Sequence, residues 1–184
     1  MAKGNNDLIL RDRLQFDVDA TGNTALVYGR VDMSDFVNVY KRDGFAVKEV
    51  RYQIRDPSQA TGVLDPLLTF GVGSLAAIKV FTTTTAYENA PDVGIASPDV
   101  ISILEMTTSE ETATQTFQNQ WTEYGTPDLH PEGYNVVSDL LIGVCAQTIA
   151  ANDRTLEIDI MVIGEPVKLT EKDMTEMIQQ AQDL

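Results

Sequence analysis

The sequence predicts an all-β protein, a sandwich or jelly roll of seven or eight strands followed by a short C-terminal helix. Three observations carry this. Short runs rich in β-branched residues alternate apolar with polar positions along most of the chain. Clusters of Gly, Pro, Asn and Asp separate the runs. The seven prolines are read as lying between runs, as a hydrogen-bonded sheet requires.

Taken in order, "RLQFDV" alternates Leu14, Phe16 and Val18 with polar partners. "DATGNT" supplies turn chemistry around Gly22 and Asn23, and "ALVYGRV" returns as the partner strand of a hairpin. "MSDFVNVYKRDG" places Met33, Phe36, Val37 and Tyr40 at helical spacing, with Ser34 as N-cap and Gly44 beyond the end, so a helix is expected there. The same residues also alternate. "FAVKEVRYQI", "AAIKVFTTTT", "DVISILEM", "DLLIGVCAQ" and "TLEIDIMVI" read as further strands. In the last, Leu156, Ile158, Ile160 and Val162 face in while Glu157 and Asp159 face out. The polar run from Thr107 to Thr116 reads as a solvated loop. Residues 170–184 read as a helix, with Thr170 as N-cap, acids in its first turn and an apolar stripe of Met174, Met177, Ile178 and Ala181. No internal repeat or low-complexity linker divides the chain, so residues 1–184 are expected to form a single domain.

Charge narrows the possible partners. The net charge is −15, and residues 87–166 hold one basic residue, Arg154, against fourteen carboxylates. Such a surface repels phosphate backbones and anionic headgroups, which argues against direct nucleic-acid or lipid binding. Asp outnumbers Glu by seventeen to eleven, and only six lysines are present. Short carboxylates in place of lysine suit a surface that stays hydrated in high salt; the alternative is simply a soluble acidic protein. The start of the chain has no apolar run of signal-peptide length. "LLIGVCA" is far short of the roughly 20 residues of a membrane span. One cysteine, Cys145, excludes an internal disulfide and reads as a small buried hydrophobe, the alternative being a bridge between subunits.

No candidate site gathers a full set of chemical groups. The single histidine, His130, lies in "YGTPDLHPEGYN" between Pro127 and Pro131, and reads as a turn residue in a long acidic loop that also holds Trp121. One histidine cannot furnish the ligand set of a metal-binding jelly roll. "DVDATG" begins like a calcium loop, but its twelfth position is Tyr28 where a bidentate carboxylate is needed. "FGVGS" lacks the lysine and the third glycine of a phosphate loop. No pair of carboxylates stands out as a glycosidase pair. No catalytic, cofactor-binding or metal residue is therefore assigned, no cofactor is called for, and an enzyme ranks last among the readings.

A chain of this size, with a strand series from "RLQFDV" to "TLEIDIMVI", an acidic surface and a short C-terminal helix, resembles the single-jelly-roll major capsid proteins of icosahedral viruses. It is most similar to the smaller of the two major capsid proteins in membrane-containing icosahedral viruses of haloarchaea. The resemblance implies self-association into capsomers beside a larger sister protein, around an internal membrane that the protein overlies without entering. It implies location in the virion, assembled in the host cytoplasm. The first thirteen residues depart from coats with a basic genome-binding arm, offering Lys3, Arg11 and Arg13 against Asp7 and Asp12. Candidate subunit contacts are Trp121 and His130 in the acidic loop and Met174, Met177 and Ile178 on the helical stripe. The rival readings are a tail-tube or filament β-protein and a monomeric ligand-binding β-sandwich.

Overall fold

Nine strands form two antiparallel sheets in the computed structural model, which describes residues 7–64, 67, 75–111, 116–125 and 133–180. The strands are β1 (Leu8–Asp17), β2 (Thr24–Val31), β3 (Asp43–Arg55), β4 (Leu75–Thr83), β5 (Val100–Glu111), β6 (Thr116–Tyr124), β7 (Tyr134–Val136), β8 (Leu140–Gln147) and β9 (Thr155–Lys168). One sheet runs β1-β9-β3-β7 and the other β2-β8-β4-β5-β6. Early strands thus pair with late ones, β1 with β9 and β2 with β8, while β3 and β4 lie inside them. This nested order is that of a jelly roll, two interleaved Greek keys, with β6 added as a fifth strand to one sheet.

The inner faces carry the alternation read from the sequence. Leu156, Ile158, Ile160 and Val162 of β9 are buried, as are Ile78 and Val80 of β4 and Leu140, Ile142 and Val144 of β8. These side chains and those of both sheets' other inner positions merge into one apolar cluster. In β3 the buried residues change phase, from Phe45 and Val47 to Val50, Tyr52 and Ile54. Period-two alternation cannot do this without an extra residue. A bulge between Val47 and Glu49 supplies it, and the extra Lys48 turns out to meet Asp7 at 2.7 Å and Glu165 at 3.3 Å.

Three features differ from the sequence expectations. The helix expected around Met33–Tyr40 is a series of turns. The Asp139 and Asp32 carboxylates accept the backbone N–H groups of Met33 and Ser34, and Asn38 bridges to Asp43 in a tight return with Arg42 at positive φ. Side-chain acceptors that capture backbone donors compete with helix. Met33 is fully buried but Tyr40 is fully exposed, so the four residues never form a common stripe. The polar run expected as a loop is mostly hairpin: β5 continues to Glu111 and β6 begins at Thr116. Finally, Pro166 lies inside β9, opposite Phe45. It is tolerated because, among the described residues, β1 ends its pairing at Gly164 and no strand partner stands on that side of Pro166.

The C-terminal helix α1 spans Glu171–Gln180, with residues 181–184 outside the described residues. Thr170 caps it: its hydroxyl accepts the Asp173 N–H at 3.2 Å while the Asp173 carboxylate accepts the Thr170 N–H at 3.4 Å.

The outer face of the five-stranded sheet is not bare. The segment between β4 and β5, with a 3-10 turn at Ala90–Asp92, crosses it and makes a second apolar cluster of Phe81, Val93 and Ile103 with Leu26, Tyr28, Tyr87 and Val100. The Tyr28 hydroxyl ties this strap down, accepting from Tyr87 N at 2.8 Å and donating to Tyr87 O at 3.0 Å. Covering both faces explains why β4 buries successive residues Val80, Phe81 and Thr82.

Candidate assembly surface

Three polar constructions hold the sandwich in a fixed shape. Tyr52 of β3 reaches across the interior and its hydroxyl meets Thr82 Oγ1 and Ser102 Oγ, each at 2.5 Å. All three residues are buried, so the phenol joins the two sheets by bonds that water cannot replace. Burial holds that phenol protonated far above its ordinary range, although both hydroxyls pull the other way. On the outer face of the four-stranded sheet, Glu157 and Asp159 of β9 lie between Arg13 of β1 and Arg55 of β3. Arg13 Nε donates to Asp159 Oδ1 at 2.6 Å, Gln15 donates to Glu157 at 2.9 Å, and Arg55 bonds Glu157 while lying 3.2 Å from Asp159. Bonds from Arg55 and Gln15 hold the Glu157 carboxyl below its usual range. At one end, Asp56 is fully buried. Burial pushes its carboxyl up, but Ser58 hydroxyl and N–H and the Arg154 guanidinium, 2.8 Å away, together hold it below its usual value.

The "DVDATG" stretch is occupied in the same way. Asp19 Oδ1 accepts from Thr21 N, Thr21 Oγ1 and Asn23 N at 2.7–2.9 Å, closing the β1–β2 turn, and Asp17 accepts from Thr155. Among the described residues no group of three or more His, Cys, Asp and Glu is placed to hold a metal ion. Cys145 is half-buried on the outer face of β8, opposite Lys79 in the register, and burial raises its thiol.

The predicted contact residues separate. Trp121 stands on β6, not in a loop, and 55% of it is exposed. Its register partner is Met106, so it shares the inner-face side of β5 and β6 with Met106, Thr108 and Asn119. The opposing sheet has only four strands and ends in the three-residue β7, so β6 overhangs. The result is an open cleft of about 520 Å³ lined by Ile54, Val63, Leu64, Leu67, Met106 and Trp121. Met174 is turned into its own chain and buried, and Met177 is half-buried beside Tyr134 and Val136. Ile178 belongs to α1, but its side chain lies outside the described residues, as does the whole of His130. The structure therefore brings Trp121 and the helical stripe to different places. Sequence reasoning missed the overhanging strand itself; its one signal was the β-branched and aromatic content of "TFQNQWTEY".

The class defined by the strand order is a jelly-roll β-sandwich. No family model matches the chain. No curated protein matches it. Among solved structures it is similar to a chain titled Desmodium yellow mottle tymovirus, with 11% identity over 91% of this chain and 93% of that one. The TM-score is 0.32, too low for the likeness to bear on fold or function.

Proposed function

We propose that this chain is a viral shell subunit, residues 1–184 acting as one jelly-roll unit that assembles through subunit contacts into an icosahedral capsid. Its location is the virion, assembled in the host cytoplasm, and its role is structural and not enzymatic. The observation that carries the reading is the nested strand order combined with a filled interior. Jelly rolls serve as capsid, lectin and cupin domains. A cupin keeps its ligands in the space between the sheets. Here that space is occupied by Phe45, Ile78, Leu104, Leu156 and Ile158, each fully buried, and by the Tyr52 bridge. A rigid, packed sandwich is suited to presenting surfaces. The reading extends to a larger sister subunit and to a membrane beneath the shell, which the acidic surface overlies without entering. It places the particle in high salt, because so negative a surface packs against its copies only when its repulsion is screened.

The test is light scattering and electron microscopy of the purified chain at ~0.1 M and ~1 M salt. Multimers or closed shells that grow with salt are expected. A strict monomer under both conditions would overturn the reading, and rings or tubes would replace it with a tail-tube or filament protein.

A further inference from the structure

Each sheet has two edges, and three of the four edges are blocked. Unpaired edges invite pairing with other chains, and proteins block them with charge, bulges, proline or brevity. β1 carries Arg11, Asp12 and Arg13, with Asp12 on the same side of the strand as Leu10 and Leu14. β2 is broken by a register shift between Thr24 and Val27. β7 is three residues long and pairs only with Phe45–Val47, and past it β3 carries a bulge and the charged Glu49, Arg51 and Arg55. β6 has the least of these devices, a single charge at Glu123 on the inner-face side it shares with Trp121. It is nine residues long, pairs with β5 without a register shift, and contains no Lys, Arg or Pro. Its one carboxylate is Glu123, in a chain of net charge −15. Among the described residues its outward backbone groups have no backbone partner.

We infer that β6 is a self-pairing edge, joining antiparallel to β6 of a second copy across a two-fold axis at Gln120. The occupant follows from charge. In a chain of net charge −15, β6 presents a strip whose one charge, Glu123, falls opposite position 117 of the second copy and not opposite its own equivalent. An antiparallel pair of identical strands is also self-complementary, as a two-fold contact must be. Centring on Gln120 uses all nine residues and sets Trp121 opposite Asn119 of the second copy. The overhanging Trp121 is then covered, and the two five-stranded sheets become one of ten. This inference rests on the assembly reading only in expecting self-association.

Two substitutions at one exposed position test it. In a Cys145→Ala background, Gln120→Cys places two thiols face to face. Opposed Cα atoms in an antiparallel pair are about 4.5–5.5 Å apart, within the roughly 4.4–6.8 Å that a disulfide spans. Thr122→Cys, the control, puts its thiols about 14 Å apart. Gln120→Cys should cross-link to a dimer under mild oxidation and Thr122→Cys should not. Gln120→Lys sets like charges opposite each other and should weaken dimerisation by up to about fivefold with unchanged far-UV circular dichroism. The single tryptophan reports the same event: its emission should shift to the blue with concentration in the parent chain, and only at higher concentration in Gln120→Lys. Equal cross-linking of the two cysteine variants, or undiminished association of Gln120→Lys, overturns the inference. If multimers still form in that case, the assembly reading survives without it; a strict monomer at both salt concentrations defeats both. Cross-linking of Gln120→Cys to a different protein would also overturn self-pairing.

Discussion

Gly143 of β8 lies opposite Phe81 of β4 in the register, and a Cβ at position 143 would stand 2.2 Å from the Phe81 ring. The ring needs that gap because it points outward into the cluster under the strap, edge-on to Tyr28 with centroids 5.8 Å apart. Gly143→Ala should therefore displace Phe81 and cost about 1–3 kcal/mol, the usual penalty for overpacking. Thermal or urea denaturation measures it directly. "LLIGVCA" reads from the sequence as an apolar strand, and it is one. That its glycine makes room for an aromatic ring 62 positions earlier depends on the pairing of β4 with β8, which no local pattern contains.

Strands, rather than single residues, decide how the two sheets stay together. Tyr52 links β3 to Thr82 of β4 and Ser102 of β5, and among the described residues no other side chain bonds those two hydroxyls. Tyr52→Phe keeps the ring but leaves two buried hydroxyls without their phenol, and should cost about 1–3 kcal/mol. A double variant that also carries Thr82→Val should lose less than the sum of the single losses, because one orphaned hydroxyl is gone. Additive losses would mean that the bridge is not a unit. At this scale the alternation of apolar residues made β1, β3, β4, β8 and β9 legible, since each has one face on the core. β6 was not legible. An overhanging strand has no buried face to impose a pattern, so its polar residues resemble a loop. The turns at Met33–Tyr40 failed in the opposite sense: the spacing suited a helix, but Asp139, 106 positions later, accepts the Met33 N–H instead.

For the molecule as a whole, charge sets the conditions for stability. The Asp19, Asp32, Asp56 and Glu157 carboxyls are all held below their ordinary values. Their contribution is fully present above about pH 4, where unfolded carboxyls ionise, and is lost as pH falls through the lower folded values. Burial raises Tyr28, Tyr52 and Tyr134, so their contribution is complete below about pH 10 and declines above it. Melting temperature should accordingly fall at both extremes. Raising salt from ~0.1 M to ~1 M shortens the screening length from about 10 Å to about 3 Å. That should raise the melting temperature at pH 7, where the net charge is −15, and change it little near the pI of 4.2. Equal salt effects at the two pH values would show that net repulsion does not limit stability.

The sequence by itself determined the class of fold, the acidic surface and the capped C-terminal helix, because periodicity, charge and capping are local or additive properties. The tertiary structure alone decided the nested strand order, the strap over the second sheet and the strand that bears Trp121. Each depends on which distant segments pair, and pairing is set by the shared burial of faces that only the folded chain brings together. The edge position of β6 is the clearest case: among the described residues no strand lies beyond it, which only the order of the sheet reveals.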